Sequence, residues 1–272
     1  MFLFCSIATR NKGQAPLRTV KVPTAPPFDS ARQGGDSVAV DLQDYHFVVT
    51  GGTGVLGRAV VGRLLAAGGL VHVPNFDSGE LDGFPHADHP NVVVTTGVDL
   101  TDAARVDEFY GALPALWASI HLAGGFAMAP LAETSAADFQ RLMDMNARTC
   151  FLCCKAAVAA IRQGGGGGRL VNVAARPALE PRSGAGMAAY TAAKAAVAAL
   201  TAALAEELAG EEIWVNAVAP SIIDTPANRA AMPQADHSSW PAPDAIAETI
   251  AFLASPANRV TRGAVVPVYG RA

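Results

Sequence analysis

The sequence predicts an α/β fold, a parallel β-sheet with helices on both faces. From residue 46 onward short β-branched runs alternate with helical segments, the pattern of a chain that brings each strand back through a crossover helix. The strand candidates are continuously apolar, as in His46-Phe-Val-Val-Thr50, which implies burial on both faces of a parallel sheet. With 51% hydrophobic and only 16% charged residues in 272, the chain has apolar surface for a large core and for subunit interfaces.

The elements follow in order. Residues 1–43 contain Pro16, Pro23, Pro26, Pro27, Gly34 and Gly35 without sustained periodicity, and predict a poorly ordered N-terminal extension. Arg10, Lys12, Arg18 and Lys21 precede its first acid, Asp29, a bias shared with organelle transit peptides, although serine is sparse. Residues 44–272 read as one domain. Strands are expected at 46–50, 70–75, 92–96, 119–122, 169–173, 213–217 and 264–268, and helices at 55–67, 101–113, 135–163, 187–209 and 243–254. The glycine run 164–168 precedes a strand and not a helix, so it reads as a link and not a phosphate loop.

Bulk properties exclude several function classes. A net charge of -4 leaves no basic face for nucleic acid. Lys194, Thr201 or glycine interrupts the longest apolar stretches before the roughly 18 residues of a membrane span. Four cysteines do not make a disulfide framework in a chain this long, and a reducing, cytoplasmic setting is expected.

The first strand runs directly into Gly51-Gly-Thr-Gly54-Val-Leu-Gly57 and then an apolar helix. Strand, glycine turn and helix together let backbone N–H groups approach a pyrophosphate at the helix N-terminus. Gly51, Thr53, Gly54, Val55, Leu56 and Gly57 are therefore candidate cofactor contacts. Asp99-Leu100 follows the third strand, where a carboxylate can meet an adenine edge or cap the next helix. Dinucleotide sites often carry an acid at the end of the second strand to bind the ribose 2′-hydroxyl. Here Asn75 stands there, with Asp77 two residues on and no Arg or Lys adjacent, which favours NAD(H) over NADP(H).

In Tyr190-Thr-Ala-Ala-Lys194 the two polar side chains lie four residues apart and share a helix face. A nearby ammonium favours phenolate, making the pair a candidate proton donor and acceptor.

These blocks, with Leu122-Ala-Gly-Gly125, Asn146, Val215-Asn-Ala-Val-Ala-Pro220 and Asp224-Thr-Pro226, resemble the short-chain dehydrogenase/reductase family over about residues 45–270. The resemblance implies a Rossmann fold with a seven-stranded parallel sheet. It implies Tyr190 as acid/base, Lys194 as its tuner and ribose ligand, and Asn146 in support of a proton relay. Ala123, Gly124, Pro220, Ile223 and Thr225 would line the cofactor, with Thr225 at the nicotinamide carboxamide. A small-molecule substrate and a homodimer or homotetramer built through the helices 135–163 and 187–209 are also implied.

One family feature is missing. A block like Val-Asn-Ile-Ser-Ser is usual after the fifth strand, and here it reads Val171-Asn172-Val173-Ala174-Ala175. Donors that meet a developing oxyanion are worth about 3–4 kcal/mol. Dihydropteridine reductases, which this chain also resembles in Leu122-Ala-Gly-Gly-Phe126 and in the loop from Asp224 to Trp240, likewise carry alanine there. Their quinonoid substrate accepts hydride without localising charge on one oxygen. A quinonoid dihydropteridine or similar activated C=N or C=O compound is thus one expectation. A generic ketone/alcohol (3-oxoacyl-type) reductase, or a non-catalytic dinucleotide-binding protein, are the alternatives. Ser183 could supply a substitute hydroxyl, and Trp240 could face substrate or simply pack. His121, in the altered block His121-Leu-Ala-Gly124, reads as structural. Cys150, Cys153 and Cys154 read as core or interface residues with no histidine or acid at ligand spacing, so no metal is expected. His86 and His89 fall in a Pro-rich loop and read as solvated.

Overall fold

The computed structural model describes residues 41–272. The extension expected over 1–43 therefore lies, up to residue 40, outside the described residues. Its last residues are already part of the fold: Leu42 is buried, and its N–H donates to Ala67 O at 2.7 Å.

Seven strands form one parallel sheet. They are β1 (His46–Thr50), β2 (Leu70–Asn75), β3 (Val92–Thr96), β4 (Ala118–His121), β5 (Gly168–Val173), β6 (Ile213–Pro220) and β7 (Val265–Val268), in the order β3-β2-β1-β4-β5-β6-β7. β1 pairs with β2 on one side and β4 on the other, so the chain changes direction across the sheet there. A crevice opens at the carboxyl ends of such strands. The main helices are α1 (Val55–Ala66), α2 (Ala103–Gly111), α3 (Ala136–Met143), α4 (Thr149–Gln163), α5 (Arg176–Leu179), α6 (Ala188–Glu207), α7 (Pro226–Ala231) and α8 (Pro243–Ala254).

Alternation along β1 divides the core. Phe47 and Val49 join α1 and α8 on one face, while Val48 joins α2, α4 and α6 on the other. Successive strand side chains point to opposite faces, and both faces here meet helices, which is why the strand carries no polar interruption.

Differences from expectation have local causes. α2 starts later because Asp102 caps it, accepting from Ala104 N at 2.9 Å and Arg105 N at 3.4 Å. The expected 135–163 helix is broken by a π-helical turn, Asp144–Arg148. There Asn146 Nδ2 donates to Leu142 O at 2.9 Å and Thr149 Oγ1 donates to Met145 O at 2.8 Å, so side chains share carbonyls that a regular ladder would use. Such turns concentrate at functional positions. β6 runs on to Pro220, carrying the chain further toward the crevice than the expected 213–217. Gly165, Gly166 and Gly167 all take positive φ (107°, 83° and 69°), which explains the glycine run, since other residues rarely adopt it.

α6 is, among the described residues, one helix long and apolar enough to cross a bilayer by length and composition, contrary to the sequence expectation that Lys194 and Thr201 interrupt it. Both of these residues are buried against the sheet.

One polar contact inside the core predicts an acid sensitivity. His46 Nδ1 and His72 Nε2 lie 2.9 Å apart, both rings buried. Burial first, then the His46 charge, lowers the His72 pKa to about 4, and burial lowers that of His46. Folded His72 therefore stays neutral where the unfolded chain takes up a proton near 6.5. Stability rises with pH across that interval and is lost as pH falls from about 6.5 towards 4. The His72 share is on the order of 3 kcal/mol at full effect. Urea midpoints measured across this range should fall less steeply in His72→Gln than in the parent; equal slopes would refute the assignment.

Candidate active site

The glycine turn is shaped by contacts that admit no larger residue. Gly51 has φ +65°, and a Cβ there would sit 2.9 Å from Ala123 N. A Cβ on Gly57 would sit 2.1 Å from Gly51 O and 2.6 Å from Gly52 Cα. The first turn of α1 thus lies directly on the loop after β1. Gly54 caps α1 with no side-chain hydrogen bond, so the helix's first N–H groups remain for an anion. Thr53 is buried, Leu56 half-buried and Val55 exposed at the same turn. Ala123 N donates to Thr50 Oγ1 at 3.2 Å, which lays the Ala123–Gly124 segment beside the turn.

At the far end of the crevice, Asn75 closes β2 and is buried, with Oδ1 lacking any partner. Its Nδ2 donates to Glu80 Oε2 at 3.3 Å. Arg58, which the sequence does not place beside Asn75, donates from Nε to Thr53 O at 2.7 Å. Asp99 is not the α2 cap; its Oδ1 accepts from Thr101 N at 2.8 Å and Thr101 Oγ1 at 2.7 Å. Leu100 beside it is buried. Pro220, Ile223 and Thr225 form the exit from β6, where Thr225 Oγ1 accepts from Asn228 N at 3.1 Å and starts α7.

Lys194, Asn146 and Gly124 meet between α6, the π turn and β5. Asn146 grips the Gly125 backbone from both ends: Oδ1 accepts from Gly125 N at 3.2 Å and Nδ2 donates to Gly125 O at 3.0 Å. A Cβ on Gly124 would lie 2.6 Å from Asn146 Oδ1 and 3.4 Å from Lys194 Nζ, so glycine is what lets these side chains converge. Lys194 Nζ donates to Val173 O at 2.9 Å. Its burial lowers its pKa to about 8. Tyr190 is one turn earlier, with Phe126 edge-on at 5.0 Å. Burial raises the tyrosine pKa, which reverses the sequence expectation. Desolvation of the phenol favours its protonated form.

Ala174 and Ala175 are buried at the end of β5, so no hydroxyl stands there. Ser183 does not fill the gap: it is exposed, and its Oγ donates to Glu180 O at 2.8 Å. Trp240 is buried and packs against His237 at 4.6 Å. His86 is half-buried, not solvated, with Nε2 3.2 Å from Arg58 O, while His89 is exposed.

His121 belongs to a buried polar chain whose directions can be deduced. Thr201 Oγ1 donates to Val197 O and therefore accepts from Asn172 Nδ2 at 2.9 Å. Asn172 then presents Oδ1 to His121 Nδ1 at 2.8 Å, so Nδ1 carries the proton. Nε2 accepts from Ser119 Oγ at 2.9 Å, which accepts from Tyr110 at 2.8 Å. The structure does bring His121 to Cys150 and Cys154, with ligand atoms within 4.8 Å of one another. Sequence spacing hid that approach because His121 comes from β4 and the cysteines from α4. With Nδ1 donating, its lone pair is not offered to a cation in this network.

Comparison with known proteins agrees with this layout. The short chain dehydrogenase family pattern matches residues 45–236. The chain belongs to the short-chain dehydrogenase/reductase family. Similar members include galactitol 2-dehydrogenase of Rhizobium johnstonii, 32% identical over 81% of this chain and 92% of that one. The cis-4-hydroxycyclohexanecarboxylate dehydrogenase of Sinomonas cyclohexanicum is 33% identical over 82% and 94%. A short-chain dehydrogenase/reductase (glucose/ribitol dehydrogenase) from Brucella melitensis superposes with TM-score 0.78 at 28% identity, covering 86% of this chain and 98% of that one. As a member of this family the protein is an NAD(P)-dependent oxidoreductase. These relatives are named for polyol and hydroxycycloalkane substrates, and none of these names supports the resemblance to the dihydropteridine reductase branch.

Proposed function

We propose that this short-chain dehydrogenase/reductase reduces a small organic substrate whose C=N or C=O bond is already activated by conjugation, with a quinonoid dihydropteridine as the first compound to try. The observation that carries this reading is that buried Ala174 and Ala175 stand at the end of β5, where the family's serine hydroxyl is usual, while Tyr190, Lys194 and Asn146 are retained. The cofactor fits the residues present. Gly51, Gly52 and Gly57 leave no room for a Cβ, the α1 N-terminus has no side-chain cap, and Asn75 Oδ1 awaits a donor. Gly51, Thr53, Gly54, Val55, Leu56 and Gly57 would hold the pyrophosphate side. Asn75, Asp99 and Leu100 would hold the adenosine side, and Ala123, Gly124, Lys194, Pro220, Ile223 and Thr225 the nicotinamide side. Bound NAD(P)H supplies the hydride.

In the reductive direction Tyr190 gives its proton to the substrate heteroatom. Its raised pKa keeps it protonated for that task. Lys194, still mostly charged below pH about 8, stabilises the phenolate left behind. Asn146, locked on Gly125, keeps the local backbone in place for proton replacement. Half-exposed Phe126 and exposed Met128 at the rim offer an apolar, polarisable surface to a planar ring. Exposed Phe151 on α4 and the alanine-rich face of α6 support assembly as a homodimer or homotetramer.

A second reading is a secondary-alcohol dehydrogenase, favoured by the names of the relatives. NADH consumption with quinonoid dihydropterin, quinones and simple ketones separates the two. An activated substrate should exceed simple ketones by at least about a hundredfold in kcat/KM, the scale of a missing oxyanion donor. Comparable turnover of unactivated ketones would sink the proposal in favour of the second reading.

A further inference from the structure

We propose that Glu80 is the acid that selects a dinucleotide with a free ribose 2′-hydroxyl, in place of the acid missing at the end of β2; this rests on the cofactor site proposed above. After Asn75 the chain makes a short 3-10 turn, Ser78–Leu81, started by Asp77, whose Oδ1 accepts from Gly79 N at 2.9 Å. That turn folds Glu80 back onto the glycine loop. Its Oε2 accepts from Thr53 Oγ1 at 3.1 Å and from Asn75 Nδ2 at 3.3 Å. One carboxylate thus joins the strand end, from which this fold recognises the adenosine ribose, to the glycine turn that holds the pyrophosphate.

The Asn75 amide is half-used. Its Nδ2 is committed to Glu80, and Oδ1 is buried without a partner. A buried acceptor left unmatched is destabilising, and a ribose hydroxyl is a donor that would meet it. Glu80, half-buried at the rim, keeps a second oxygen for the neighbouring hydroxyl of the same diol. A 2′-phosphate would instead bring about two negative charges to the Glu80 carboxylate, which only accepts. Asn75 alone would discriminate weakly, because an amide can turn its N–H groups toward phosphate. Glu80 holds that amide with its donor side engaged. Arg58 on the same turn has its Nε on the Thr53 carbonyl.

The test is equilibrium binding of NADH and NADPH to the full chain by nucleotide fluorescence, independent of any substrate. The parent should bind NADH at least about a hundredfold more tightly. Glu80→Gln keeps an acceptor and removes the charge, so NADPH should gain tenfold or more while NADH changes by less than about threefold. A thermal melt confirms that the variant is folded, and Glu80→Ala should move the NADPH/NADH ratio the same way. Parent binding that favours NADPH, or a ratio unchanged in both variants, overturns the assignment while leaving the cofactor site standing and points to Arg58. If neither nucleotide binds the parent, the cofactor site itself fails and the assignment falls with it.

Discussion

Tyr190→Phe is expected to lower kcat by at least a hundredfold while leaving NAD(H) affinity within about threefold. The substitution removes one oxygen and keeps the ring that Phe126 packs against edge-on at 5.0 Å, so the helix surface is preserved. What disappears is the proton. Side-chain acid catalysis contributes typically 10²–10⁴-fold, and no hydroxyl at Ala174 or Ala175 can take over. The two readouts must separate: nucleotide fluorescence should titrate as in the parent, and single-turnover hydride transfer should be nearly silent. Retention of full activity would remove Tyr190 as the donor. Equal loss of binding and rate would instead assign it a packing role.

Gly57→Ala should affect both the cofactor and the fold. The added Cβ would meet the Gly51 carbonyl oxygen at 2.1 Å and Gly52 Cα at 2.6 Å, and both are backbone, so no side chain can rotate away. Overpacking of this kind costs typically 1–3 kcal/mol and occasionally more. The relief open to the chain is to lift the first turn of α1 off the loop, which displaces the N–H groups meant for a pyrophosphate. Nucleotide affinity should fall at least tenfold and the melting temperature by several degrees. Unchanged affinity with a lowered melting temperature would place the dinucleotide elsewhere.

Much of the fold was legible because its causes are local. Largely apolar runs bounded by turns marked β1, β2 and β3 at their observed limits, since a strand buried on both faces is mostly apolar and any polar side chain on it needs a partner. Gly51 and Gly57 announced a close backbone approach through their spacing alone. Tyr190 and Lys194 were visible as neighbours because helical periodicity makes them so. The π turn was less accessible. It follows from side chains of Asn146 and Thr149 competing for carbonyls within one apparently continuous helix, and apolar periodicity does not register that competition. The direction of the Tyr190 pKa was missed for a related reason: spacing reveals a lysine four residues on but not the desolvation of the phenol.

The residues that refine the site come from pairings distant in the chain. Thr53 and Glu80 are 27 residues apart, and His121 and Asn172 are 51 apart. Whether they meet depends on strand register and loop path. A one-residue slip of β4 against β5 would turn His121 to the opposite face. Local sequence therefore suffices for the sheet, the glycine cradle and the tyrosine–lysine pair, because each arises from the geometry of one turn or one strand. Packing decides that Glu80 reaches Thr53 and Asn75 and that His121 reaches Asn172, because these groups are brought together only by the closed sheet.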